Sequence, residues 1–169
     1  MTGMKRLLVI ALASSLLTSC GVGFSFTGAS IPPDAKSISV QYFQTHAALA
    51  GPTMSQTFTD ALRDYVTSQS HLPLVQNGDL DFSGAISNFF TQPVAATGGS
   101  AVSSLTRLTI TIDVTFSDKN DPKKNFNASF SRYADYSSSQ SLVTVQSDLI
   151  TQINKQLVQD VFDKAFNNW

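Results

Sequence analysis

Leu108-Thr109-Ile110-Thr111-Ile112-Asp113-Val114-Thr115-Phe116 alternates apolar and polar residues without a break. Successive side chains of a β-strand point to opposite faces. This run therefore builds a strand with Leu108, Ile110, Ile112, Val114 and Phe116 on a buried face and Thr109, Thr111, Asp113 and Thr115 on a wet one. A sheet with one wet face is an antiparallel feature. The stretches on either side repeat the pattern. Leu80, Phe82, Ile86 and Phe90 share one parity, with Gly84 thinning that face. Phe126, Ala128, Phe130, Ala134 and Tyr136 share another, opposite Asn127, Ser129 and Ser131, with Tyr133 the exception. Further upstream Ile38, Val40 and Tyr42 alternate with Ser37, Ser39 and Gln41, giving a fourth strand over 36–43. Residues 44–51 read as a loop, and Leu72 to Val75 as a short edge strand because Pro73 cannot donate to a ladder. Asn77-Gly78 is a hairpin turn signal. The Gly- and Ser-rich stretch 91–104 reads as a loop, and the polar stretch 118–124 as the turn joining the last two strands.

Two segments change period. From Pro52 to Gln69, the residues Met54, Phe58, Ala61, Leu62, Tyr65 and Val66 recur at three- and four-residue steps, with Asp60, Arg63 and Asp64 off the stripe. This is an amphipathic helix. Thr53 and Gln56 have capping-box spacing, and Pro52 suits a helix start. From about Ser141 to Phe166, Leu142, Val145, Leu149, Ile153, Leu157, Val161 and Ala165 keep helical spacing, with Ser138 and Ser139 as N-cap candidates. Each helix has one apolar stripe and the sheet one apolar face, so they cover each other. The expected fold is an α+β two-layer sandwich, with two helices on one face of a mainly antiparallel four-stranded sheet.

The start of the chain has another purpose. Lys5 and Arg6 precede the mostly apolar run Leu7 to Leu17, and Leu17-Thr18-Ser19-Cys20 closes it. This is the three-part plan of an export signal. The run is too short to span a bilayer, which needs about 20 residues. A Cys after Leu and two small residues resembles the bacterial lipoprotein signal, in which the thiol takes a diacylglyceryl group before cleavage and the new amino terminus takes an acyl chain. Residues 1–19 are expected to be the signal peptide, 20–35 a lipidated tether ending at Pro32-Pro33, and 36–169 a single α+β domain. Phe24 and Phe26 in the tether are placed to dock back onto that domain. Several acyl chains on Cys20 give a stable anchor. Gly21, not Asp, follows Cys20, which favours outer-membrane sorting and a periplasm-facing domain. Cys20 is the only cysteine, so the chain has no internal disulfide. Eleven basic residues include Lys5 and Arg6, so nine remain against twelve acidic ones after cleavage. That balance argues against a nucleic-acid binder.

Catalytic chemistry finds little support. His46 falls in a loop and His71 at a helix end, and neither has a Cys, His or carboxylate at metal-ligand spacing. His71 suits the C-terminal end of its helix. Asp79 and Asp81 straddle Leu80 and read as solvating a hairpin end. Ser137 to Ser141 lacks a glycine-flanked nucleophile pattern. No enzyme, cofactor or metal is expected, apart from the covalent lipid on Cys20.

These parts together resemble the LPS-assembly lipoprotein LptE family, in a divergent branch with little basic character. The resemblance rests on Cys20 followed by Gly21-Val22-Gly23-Phe24-Ser25-Phe26-Thr27-Gly28, then Ile31-Pro32-Pro33 and Ser37-Ile38-Ser39-Val40-Gln41-Tyr42-Phe43. Ser55-Gln56-Thr57-Phe58-Thr59-Asp60-Ala61-Leu62-Arg63-Asp64 and Asp79-Leu80-Asp81-Phe82-Ser83-Gly84 complete it. It implies an outer-membrane lipoprotein without enzymatic activity. Such a protein partners and plugs the β-barrel LptD, assists its assembly, and helps bring lipopolysaccharide to the cell surface. The partner-binding face would then carry Thr109, Thr111 and Thr115. Family members that contact lipopolysaccharide do so with basic residues. Here Lys119, Lys123 and Lys124 are candidates by charge alone, and Arg107 and Arg132 likewise. A competing reading is a periplasm-facing lipoprotein that holds a lipid or small apolar ligand between sheet and helices.

Overall fold

The computed structural model describes residues 30–47, 50–95 and 104–167. The expected signal segment, Cys20, Phe24, Phe26 and the middle of the expected 91–104 loop lie outside the described residues. In chain order the elements are β1 (Ile38–Val40), β2 (Gln44–Thr45), α1 (Pro52–Ser70), β3 (Leu80–Ala95), β4 (Ser104–Asp118), a 3-10 turn (Pro122–Lys124), β5 (Phe126–Ser137) and α2 (Leu142–Phe166).

Among the described residues the sheet is mixed and has five strands, not four mainly antiparallel ones. β3 is its axis. On one side it pairs antiparallel with β4 from Leu80–Asp118 to Ala95–Ser104, and β4 pairs antiparallel with β5. On its other side it pairs parallel with β1 and then with β2. The parallel pairing follows from connectivity, because α1 returns the chain to the end where β1 began, as a crossover must. β2 falls inside the stretch 44–51 and is too short for a periodic signal. The expected strand at 72–75 reduces to one bridge, between Leu74 and Ile38. Asn77-Gly78 makes no hairpin; it leads from α1 into β3. Gly78 lies so close to β1 that an added Cβ would sit 2.5 Å from the Ile38 carbonyl carbon. Residues 91–95 and 104 belong to the strands, so β3 and β4 form a long hairpin rather than flanking a wide loop.

One parity also changes. Ile86 faces Ile112, but the next pair is Asn88 with Thr111, so Ser87 is an extra residue in a β-bulge. Beyond it Phe89 is buried, and Phe90 points to the other face with 41% of its surface exposed. The expectation that Phe90 joins Leu80, Phe82 and Ile86 is therefore corrected.

Both helices cover one face. Met54, Phe58, Leu62 and Val66 of α1 and Leu149, Ile153, Leu157, Val161 and Phe162 of α2 meet Leu108, Ile110, Ile112, Val114 and Phe116 in a single core. Tyr65 packs edge-on against Phe162, and the two helix starts line one cleft, so the helices run in the same direction. Thr59 donates to the Ser55 carbonyl and accepts the Phe43 amide, which ties α1 to the β1–β2 link. The caps differ from expectation. Gly51 is the N-cap of α1, with Thr53 already inside the helix, and Ser141 rather than Ser138 or Ser139 is the N-cap of α2. His71 is the C-cap of α1 in a left-handed conformation, its amide donating to the Thr67 carbonyl.

Candidate interaction surfaces

Among the described residues no element covers the second face of β3, β4 and β5. Register sets its residues in rows: Ser83–Thr115–Asn127, Ala85–Asp113–Ser129, Asn88–Thr111–Ser131, Phe90–Thr109–Tyr133 and Gln92–Arg107–Asp135. Thr109, Thr111 and Thr115 thus share this face. Its polar groups are largely satisfied across strands. The Thr111 and Ser131 hydroxyls lie 3.1 Å apart, and Ser129 donates to Asp113. Arg107 donates to both Asp135 oxygens at 2.7 and 2.8 Å, and its guanidinium lies 3.6 Å from the Tyr133 ring centroid. The Arg107 hydrogen bond holds the Asp135 carboxyl below its ordinary range, and Asp135 in turn raises Arg107. The result is a hydroxyl-rich face with internally paired charge. Phe90 and Tyr133 add an exposed aromatic pair flanking Thr109, with Tyr133 51% exposed. Sequence reasoning missed Phe90. The adjacent Phe89-Phe90 was the available signal, because neighbours in a strand point to opposite faces.

A second surface lies at the β4–β5 turn. Asp118, buried at the strand end, accepts the Asn120 and Asp121 amides, while Asn125 accepts the Asp118 amide. This framework presents Lys123 and Lys124. Together with Lys164 from the last turn of α2 and Asn125 they line a cleft of about 330 Å³. Lys164 was not a sequence candidate, since only the packing of α2 brings it here. Lys119 is not part of this lining; its ammonium lies 3.4 Å from the Asn77 carbonyl. Arg107 and Arg132 are elsewhere and paired, Arg132 to Asp160 through two 2.6 Å hydrogen bonds that raise its pKa.

The carboxylates next to Leu80 hold structure together. Asp79 accepts the Lys36 amide, which is the main cause of its lowered pKa, and Asp81 accepts from Ser39 and Gln41. They tie β1 to β3 and do not sit at a hairpin end. His46 donates its amide to Ile86, joining the β2 end to β3. Among the described residues no three His, Cys, Asp or Glu side chains form a metal-binding group, and no helix is long and apolar enough to cross a membrane. Between sheet and helices the buried side chains of both layers pack as one core. A furrow of about 450 Å³ opens instead between α1 and α2, lined by Ala61, Tyr65, Asn154 and Val158 among others. Asn154 is buried, and neither of its amide atoms has a hydrogen-bond partner. Burial, with Asp163 nearby, raises the Tyr65 pKa.

A model of the LptE lipopolysaccharide-assembly family matches residues 35–165, a span that holds every strand and almost all of α2. The chain belongs to the LptE family. Its assignment to LptE rests on that match; no curated protein matches the chain. Among solved structures, a homolog of the neuraminyllactose-binding hemagglutinin from Helicobacter pylori aligns at 9% identity, with a TM-score of 0.52 over 83% of this chain and 88% of that one. That likeness is one of fold. A minor lipoprotein from Acinetobacter baumannii aligns at 16% identity and TM-score 0.47, covering 76% of this LptE-family chain and 91% of its own.

Proposed function

We propose that this LptE-family chain is an outer-membrane lipoprotein, acylated at Cys20 and facing the periplasm. In this reading it plugs the LptD β-barrel, supports barrel assembly, and helps carry lipopolysaccharide to the cell surface without catalysing a reaction. Family membership supports the lipopolysaccharide-assembly role. The observation that carries the plug reading is the open sheet face, whose hydroxyl groups and paired charges suit the polar interior of a barrel. Thr109, Thr111 and Thr115 are the contact residues of this reading, with Phe90 and Tyr133 as its aromatic centre. The experiment isolates native membranes that carry the chain with a tag, solubilises them gently and identifies what co-purifies. A stoichiometric large β-barrel is expected, and it should be lost in a Thr109→Lys, Thr111→Lys variant that still folds. Retention of the barrel by that variant would sink the proposed face.

The lysine cleft gives the same reading its lipopolysaccharide contact. Lys123 and Lys124 supply cationic groups for phosphate, and Lys164 completes them. One observation favours a second reading, the carrier of a lipid or small apolar ligand. It is the mainly apolar furrow between α1 and α2, lined by Ala61, Tyr65 and Val158. A hydrophobic ligand that co-purifies with the wild-type chain and is lost in Ala61→Lys would place the carrier reading first.

A further inference from the structure

The two edges of the sheet are unequal. On the β1 side the edge is short, and the Arg63 guanidinium covers the Val40 carbonyl at 3.1 Å. On the other side β5 runs for twelve residues in unbroken register with β4, and among the described residues no strand lies on its outer edge. β5 lacks most of the sequence devices that guard an edge. It has no Pro, Gly, Lys or bulge, and its two charges, Arg132 and Asp135, are engaged with Asp160 and Arg107. A regular unguarded edge of this length is a template for another strand.

The described chain begins beside it. The Ser30 amide donates to the Phe166 carbonyl at 2.8 Å, and Ser30 lines the same cleft as Phe126, the first residue of β5. Upstream, Val22-Gly23-Phe24-Ser25-Phe26-Thr27 alternates apolar with small or polar residues, a pattern the proposed function does not use. A chain arriving at Ser30 along β5 runs opposite to it, which is the antiparallel sense. Cys20 precedes Ser30 by about ten residues, a reach of roughly 35 Å, and β5 is about 40 Å long. Phe126 and Phe130 are only partly buried on the helix-facing side of β5, leaving apolar surface for Val22, Phe24 and Phe26.

We propose that residues 22–27 add to the free edge of β5 as an antiparallel strand, with Phe24 and Phe26 on the helix-facing side and Ser25 on the open face. This goes beyond the barrel reading and does not depend on it. The test uses the chain from residue 20 onward with Cys20→Ser, so that introduced thiols are the only ones. Ser25→Cys is combined in turn with Asn127→Cys, Ser129→Cys or Ser131→Cys on β5, and with Gln44→Cys on the opposite edge. Directly opposed antiparallel residues have Cα atoms within disulfide range. Mild oxidation should close an intrachain disulfide with one of the three β5 positions and none with Gln44→Cys. Adding Phe24→Ser and Phe26→Ser should abolish it while far-UV circular dichroism stays unchanged. No β5 disulfide, or equal cross-linking to β5 and to Gln44→Cys, would overturn the proposal. A disulfide between two chains would also overturn it, and would make a second copy the occupant of the edge.

Discussion

At Gly84 β3 has no room for a side chain. An added Cβ would lie 2.0 Å from the Asp113 carbonyl oxygen and 2.7 Å from a Phe43 ring carbon. Gly84→Ala must push β4 or Phe43 aside, and overpacking of this kind costs about 1–3 kcal/mol. Urea denaturation should show that loss, and an unchanged midpoint would mean that β3 relaxes freely. Asp135 sets an acid response. Its folded pKa lies below the ordinary value of about 3.9, chiefly through the Arg107 hydrogen bond. Its stabilisation is therefore complete above that ordinary value and is lost as pH falls through the lower folded value. Asp135→Asn should be less stable than wild type at pH 7, by at most about 1 kcal/mol for so exposed a pair. The difference should vanish well below pH 4 in thermal melts recorded across pH. A constant difference down to pH 2 would show that Asp135 acts through packing, not charge.

At the scale of elements, the Ser87 bulge decides what the open face displays. Deleting Ser87 leaves Ile86 opposite Ile112 and Asn88 opposite Thr111, so every flanking side chain keeps its face. The ΔSer87 chain should fold with nearly native stability, while deleting Ser83, where the register is regular, moves Leu80 and Phe82 out of the core. Burial of one such side chain is worth about 1.5–3 kcal/mol, so ΔSer83 should melt far lower. Equal melting temperatures for the two deletions would contradict the assigned bulge. The bulge also marks where reading from sequence stops. β4 and both helices announce themselves because one period persists over many residues. The alternating pattern puts Phe90 on the wrong face because a bulge inserts one residue without any compositional mark. Gln44-Thr45 is too short to show a period at all. Asn77-Gly78 signals a close turn, but composition does not say that the partner is β1. Thr109, Thr111 and Thr115 were legible because they ride on the clean period. Lys164 was not, because its approach to Lys123 and Lys124 depends on how α2 crosses the sheet.

For the molecule as a whole, the open sheet face and the lysine cleft are separate surfaces, so barrel binding and lipid binding should separate by mutation. Lys123→Gln, Lys124→Gln and Lys164→Gln combined should weaken binding of purified lipopolysaccharide several-fold and flatten its salt dependence while leaving barrel co-purification intact. Lys119→Gln should change little, because its ammonium lies outside the cleft lining. Loss of both activities in the triple variant would mean that the two surfaces work as one. The mixed sheet has a further consequence, for the order in which the chain folds. β3, β4 and β5 are successive partners, whereas Ile38 of β1 finds Leu80 only after the whole of α1 has been made and folded back. Closing a long loop costs entropy before any contact rewards it. Loop closure therefore predicts that the meander and α2 condense first and that β1 docks onto a sheet that already exists. Among the described strands, synthesis and assembly are expected to run in opposite directions: the one translated first is the last to be locked in.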